Sequence, residues 1–449
     1  MFLPGSKAIS SPSSATARRQ RRRHRASAIC LAVLLLAGWQ QARAADLVDP
    51  STLTGKLIMG YQGWFDCPDD GARRGWGHWT GGSGLAVDML PDMADFPAAQ
   101  RCRSSMRTAD GQPVELFSDQ DLATVEVHFT WMQQYGLDGI ALQRFAGALL
   151  DPPNLKARDR VLGNVRRAAE DHGRVFFVMY DLTGLKSIDL PAVTQDWDRL
   201  QHEGLTRSPA YQRHRGHPLL AIWGLGFGGR DFSPGQAEAL LDGLARVSAP
   251  YGGVTFMGGL PAYWRTRDRD ASADAAWGRV WRRLGVLSPW SVGRFSDDAG
   301  ADLYRRTVVE PDEKAARALG ADYMPVVFPG YSRANGIRAE HHPEKAVTNS
   351  TPRRCGRFYW RQVSNALGTG ASMLYGAMFD EVNEGTAMFK LLPDAAQAPV
   401  QGIPPGDAFV TLDADGCRLP SNWYLHLAGA ATAALHSGAH PSAELPLPP

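Results

Sequence analysis

Residues 378–390 read MFDEVNEGTAMFK and follow the apolar run ASMLYGA. Asp380, Glu381 and Glu384 fall within five residues, at the end of what reads as a buried strand. Charge at such a place is costly unless it is paired or used. Glycosidic bond cleavage uses two carboxyl groups, one as acid and the other as base or nucleophile. Mutual repulsion and partial burial raise at least one of the two pKa values, which a general acid requires. Glu381 and Glu384 are therefore the candidate catalytic pair. The plainer alternative is a solvated acidic loop, or Asp380 as a helix cap.

The elements that must position this cluster recur along the chain. Eight short apolar runs stand out: KLIMGY (56–61), LDGIALQ (137–143), RVFFVMY (174–180), PLLAIW (218–223), GVTFMG (253–258), GVLSPW (285–290), DYMPVVF (322–328) and SMLYGAMF (372–379). Helically spaced segments lie between them, such as 157–173 and 233–247, the latter opening on the N-cap and first-turn pair Ser233-Pro234. Near-continuous apolar strands alternating with helices indicate a parallel sheet buried on both faces. Eight such units point to an α/β fold, a (β/α)₈ TIM barrel with a long first βα loop. A doubly wound open sheet is the alternative.

Chemistry in such a barrel gathers at the C-terminal ends of the strands. Those ends carry Tyr61, Trp64, His78 and Trp79, then Gln143 and Arg144, then Asp181. Further on come Trp290 with Arg294, then Tyr331, and finally Asp380 beside the catalytic pair. Aromatic faces mixed with amides, guanidinium groups and carboxylates suit a sugar ring, whose C–H faces stack while its hydroxyls need convergent partners. These residues are the candidate substrate contacts. Any single Trp among them reads more readily as core than as a ligand platform; their recurrence at strand ends carries the argument.

Other motifs point less clearly. Gly224, Gly226 and Gly229 satisfy G-x-G-x-x-G, but the next helix starts beyond them and no acidic residue ends the next strand. A nucleotide-dependent oxidoreductase rests on those glycines alone. His341-His342 and His214/His217 lack metal-site spacing, and no C-x-x-C or G-x-S-x-G occurs, so neither a metal nor a cofactor is expected.

Three stretches, GYQGWFDCPDDG with the following GWGHW, YGLDGIALQRF, and FDEVNEGTAMFK, resemble the glycoside hydrolase family 71/99-like proteins, related to the family 99 endo-α-mannosidases. The resemblance runs from about residue 55 to about residue 430 and implies a TIM barrel. It also implies that Glu381 is a base toward the sugar's own 2-hydroxyl and that Glu384 is the general acid/base, with overall retention. The chain departs from the mannosidases at Val382-Asn383, where Trp-His is expected, and at Asp380, where Asn is expected. Those departures bear on mannose specificity more than on hydrolysis. An α-1,3-glucanase-like activity and a non-catalytic carbohydrate-binding barrel stand as alternatives to an α-mannan-type hydrolase.

The N-terminus reads differently from the rest. RRQRRRHR (18–25), a short apolar stretch and Ala42-Arg43-Ala44 have the layout of a secretory signal peptide over 1–44. That segment carries eight Lys or Arg and no acid, so its removal takes the formal net charge from +2 to −6. A mildly acidic mature protein lacks a phosphate-binding footprint, so nucleic acid is not an expected partner. The expectation is an exported protein, periplasmic or extracellular, with no stable membrane insertion and an oligo- or polysaccharide substrate. The hydrolase domain is expected over 45–436, with a disordered tail over 437–449. Four cysteines remain, and Cys67–Cys102 with Cys355–Cys417 is the favoured disulfide pairing.

Overall fold

The computed structural model describes Met1 and residues 47–448 apart from Ser83. Val48–Pro449 form one unit. The expected signal peptide lies outside the described residues.

All eight expected strands form: β1 (Leu57–Tyr61), β2 (Gly139–Phe145), β3 (Val175–Asp181), β4 (His217–Trp223), β5 (Thr255–Leu260), β6 (Val286–Pro289), β7 (Asp322–Tyr323 and Val326–Val327) and β8 (Leu374–Gly376). The break in β7 falls at Pro325, which has no N–H to give to a ladder. Neighbouring strands pair in parallel from β1 through β6. The first piece of β7 pairs with β6 and the second with β8, which returns to β1 through Leu57↔Leu374. The ring closes as a (β/α)₈ barrel. A doubly wound sheet would leave β1 and β8 unpaired, so that alternative is set aside.

Closure requires tight shape matching inside. A Cβ at Gly60 would lie 2.3 Å from the Met378 sulfur, and one at Gly376 would lie 2.5 Å from that of Met59. Each thioether fills the space that a side chain would take on the neighbouring strand. Substitution at either glycine overpacks the barrel.

Helices cover the outside, including α1 (Leu122–Gln134), α2 (Pro152–His172), α3 (Leu190–His202) and α4 (Pro234–Ser248). Ser233 caps α4 in a capping box with Gln236, at the start the sequence suggested. That start lies beyond Gly229, and a Cβ on Gly226 would meet the Trp281 ring at 2.9 Å. The glycine-rich segment is therefore a β4 loop packed on tryptophan, without the helix N-terminus that a dinucleotide phosphate needs.

The long first loop carries two small β-ribbons and the Cys67–Cys102 disulfide. Cys355–Cys417 ties the last barrel unit to the C-terminal segment, so both expected pairings are present. In the expected tail, His440, Pro441 and Ser442 hydrogen-bond to the helix Arg357–Gly368. No helix among the described residues is long and apolar enough to cross a membrane.

Candidate active site

Beyond β8 the chain folds back on itself at once. Phe379 N–H reaches the Gly60 carbonyl at 2.7 Å, while Met388 and Phe389 N–H both reach the Phe379 carbonyl at 3.0 Å. Thr386 and Ala387 N–H close on the Glu381 carbonyl at 3.1 Å. Gly385 turns at φ 63°, and a Cβ there would sit 2.8 Å from Ser332 N, so backbone and space both demand glycine. Buried Arg353 fastens the loop from outside, donating from Nη2 to the Gly385 and Ala387 carbonyls at 2.8 and 2.7 Å.

The three carboxylates occupy three environments. Asp380 is fully buried and accepts the Gln62 and Gly63 backbone N–H groups at 2.8 and 2.9 Å. Burial pushes its pKa up to about 6, against those bonds. Its partners belong to the β1 loop, so it holds that loop rather than facing the mouth. Glu381 is 4% exposed. It accepts Gln62 Nε2 on Oε1 at 2.6 Å and Thr386 Oγ1 on Oε2 at 2.7 Å. Two donors favour the carboxylate, yet burial and then the charge of Glu384 raise its pKa well above the usual Glu value. The result is a held, basic carboxylate. Glu384 is 30% exposed and 3.6 Å from Arg333 Nε. Burial raises its pKa too, with Arg333 opposing.

Adjacent residues on a strand face opposite ways, and this sorts the expected contacts. At the end of β1, Gln62 turns to Glu381, while Tyr61 turns away to Asp119 (3.2 Å) and His128 of α1 (2.8 Å). At the end of β2, buried Gln143 lies beside Tyr375, whose phenol is raised by burial and then by the charges of Glu381, Asp181 and Asp380. Arg144 points outward to Asp196 of α3 and Asp159 of α2, at 2.6 and 2.7 Å. Burial raises the Tyr331 phenol, and the nearby charges of Glu384 and Glu381 add to it. Trp290 stands edge-on to Tyr375 at 6.5 Å and to Trp223 at 5.9 Å. Asp181 is buried at the end of β3 and accepts Thr183 N–H at 2.7 Å. Trp64 lies flat between His78 (4.0 Å) and Phe145 (5.2 Å).

Five expected contacts lie elsewhere. Asp380 sits under the β1 loop, and strand alternation turns Tyr61 and Arg144 outward. Trp79 is 1% exposed, packs on Phe65 at 4.3 Å and donates to the Phe117 carbonyl, so it is core. Arg294 pairs with Asp270 at 2.6 Å on the wall of a separate cavity of about 470 Å³. Five residues at the site went unnamed as contacts: Gln62, Thr386, Tyr375, Arg333 and Asn383. For Gln62 a signal existed, because it neighbours Tyr61 on the opposite face. Arg333 arrives from the β7 loop, and no local pattern marks it.

A cavity of about 580 Å³ is lined by residues that include Arg74, His78, Asn154, Arg333, Glu340 and Asn383; neither carboxylate of the pair lines it, and Asn383 and Arg333, the latter 3.6 Å from Glu384, connect it to them. Among the described residues no group of His, Cys, Asp and Glu could hold a metal ion. His214 instead bonds Asp322, and His217 bonds the Gly252 carbonyl.

Fold and site together define a closed (β/α)₈ barrel with a carboxylate pair, one buried and one partly open, at the C-terminal end of its last strand. Among solved structures this chain is similar to the family 99 (GH99) endo-α-mannosidase from Bacteroides thetaiotaomicron, with a TM-score of 0.60 and 15% identity. The match covers 86% of this chain and 98% of that one, and a second structure of the same enzyme gives the same TM-score over 99% of its length. At that identity the similarity establishes the shared fold. No protein-family model and no curated protein sequence matches the chain.

Proposed function

We propose that the protein is an exported glycoside hydrolase that cleaves α-linked glycans of the mannan type with retention. One observation carries the reading: Glu381 is buried with both oxygens held by Gln62 and Thr386, directly beside the more open Glu384. A base must be held in place and an acid must reach the departing oxygen; the two bonds that fix Glu381, whose raised pKa makes it the stronger base once ionised, and the more open position of Glu384 suit those tasks. The likeness in fold to an endo-α-mannosidase supports the choice of substrate. Two disulfides support export.

Glu381 takes the proton of the sugar's 2-hydroxyl, and that oxygen attacks the anomeric carbon from behind. The bond to the leaving oxygen breaks as Glu384 protonates it. Water then opens the three-membered ring at the anomeric carbon, giving a proton to Glu384, while Glu381 returns its proton to the 2-oxygen. The net change is one glycosidic bond hydrolysed, with the configuration restored by two inversions. An α-mannoside permits this route because its axial 2-hydroxyl is trans to the leaving group.

Glu384→Gln tests the assignment. The amide keeps the shape but cannot deliver a proton, so hydrolysis of a natural α-mannan should stop. Cleavage of a nitrophenyl α-mannoside, whose leaving group needs little protonation, should partly survive. NMR of the first-formed anomer should show retention, and a 2-deoxy substrate should be inert. Wild-type turnover by the variant, or inversion, removes the proposed roles.

A further inference from the structure

The cavity that adjoins Glu384 through Arg333 and Asn383 has walls whose charges are already matched. Arg74 Nε lies 2.7 Å from Asp66 and its Nη1 donates to Asn154; Arg333 stands between Glu340 and Glu384. The cavity therefore offers hydrogen bonds rather than net charge, which suits a neutral polyhydroxylated ligand over an anion. Its volume falls inside the roughly 300–1,000 Å³ of small-ligand sites.

Two wall residues are built for such a ligand. Trp64 covers one face of the His78 ring at 4.0 Å and 7°, and His78 also lines the cavity. Burial, with help from Arg158 and Arg74, pulls the His78 pKa down to about 3, leaving a neutral ring with one donor and one acceptor. Asn383 carries a buried Oδ1 that has no protein partner. It also separates the two ways in which the motif departs from the mannosidases. Val382 is fully buried and packs in the core, whereas Asn383 lines the cavity.

We infer that this cavity is the subsite for the leaving sugar, a neutral hexose, and that Asn383 is the residue that selects it. The inference rests on the proposed role of Glu384, because the group that protonates the departing oxygen marks the side on which the leaving sugar sits.

Linear α-linked mannotriose and α-1,3-linked glucotriose, titrated into wild type and Asn383→Ala by calorimetry, test it. The variant should bind the trisaccharide preferred by wild type at least tenfold more weakly. Its kcat/KM on that trisaccharide should fall at least ten times further than on the matching nitrophenyl glycoside. An unchanged Kd, or equal losses on both substrates, overturns the inference. Asn383→His provides a second variant, expected to change the ratio of the two trisaccharide affinities; an unaltered ratio also counts against selection by this position. If wild type hydrolyses neither substrate while Asn383→Ala still weakens binding, the cavity stands as a hexose-binding site selected by Asn383, and its leaving-sugar role falls with the hydrolase reading.

Discussion

Gln62→Met isolates how the barrel prepares Glu381. The side-chain amide donates to Glu381 Oε1 at 2.6 Å, and a carboxylate can only accept, so the nitrogen must be the atom facing it. The amide oxygen of Gln62 has no protein partner, and the backbone N–H that holds Asp380 is untouched by the substitution. Methionine keeps length and volume while removing one donor. A hydrogen bond to a charged, buried group contributes about 1.5–3 kcal/mol. Losing it destabilises the anion relative to the acid, so Glu381 becomes harder to ionise and the acid limb of kcat/KM moves to higher pH. On that limb the rate should fall about 10- to 150-fold, since each 1.36 kcal/mol is about tenfold. Above the limb, where Glu381 is ionised in both proteins, the gap should narrow. The assay is kcat/KM against pH on a nitrophenyl glycoside, with thermal melts to verify folding. A uniform loss at every pH, or a limb moved to lower pH, refutes the claim that Gln62 acts through the ionisation of Glu381.

Glu381→Gln should raise Tm at neutral pH. The folded pKa of Glu381 lies above its ordinary value near 4.5, so its stabilising contribution is complete below that value and is lost as pH rises through the folded pKa. The amide carries no such loss, and the Thr386 hydroxyl can turn to accept from it; a Tm advantage that did not shrink toward pH 4 would contradict this. Arg353→Met leaves the Gly385 and Ala387 carbonyls without their buried donor and should cost about 2–5 kcal/mol in a denaturant titration. A variant as stable as wild type would show that the loop holds without this clamp. Cys67→Ala with Cys102→Ala opens a bridge across 35 positions and should lower stability by roughly 4 kcal/mol on chain-entropy grounds. An unchanged denaturation midpoint argues against that contribution.

Much of the fold was legible because its signals are local. Strands buried on both faces must read as apolar runs, and eight such runs separated by helical spacing left few architectures. Ser233-Pro234 marked a helix start because capping involves residues only three apart. The carboxylate motif was legible for the same reason, as its three acids share five residues of chain.

Which side chain faces the mouth was decided by the tertiary structure. Tyr61 and Gln62 are neighbours, as are Gln143 and Arg144, and in each pair the pleat sends one residue inward and the other to the helices. The sequence determined that these residues stand at strand ends; barrel closure determined which of them points at Glu381. The same holds for Arg353, 28 positions before Glu381, and for Arg333 from the β7 loop, which meet the motif only once the ring is shut. A residue type records its own chemistry, but its partner across the barrel is set by register and packing between segments far apart in the chain.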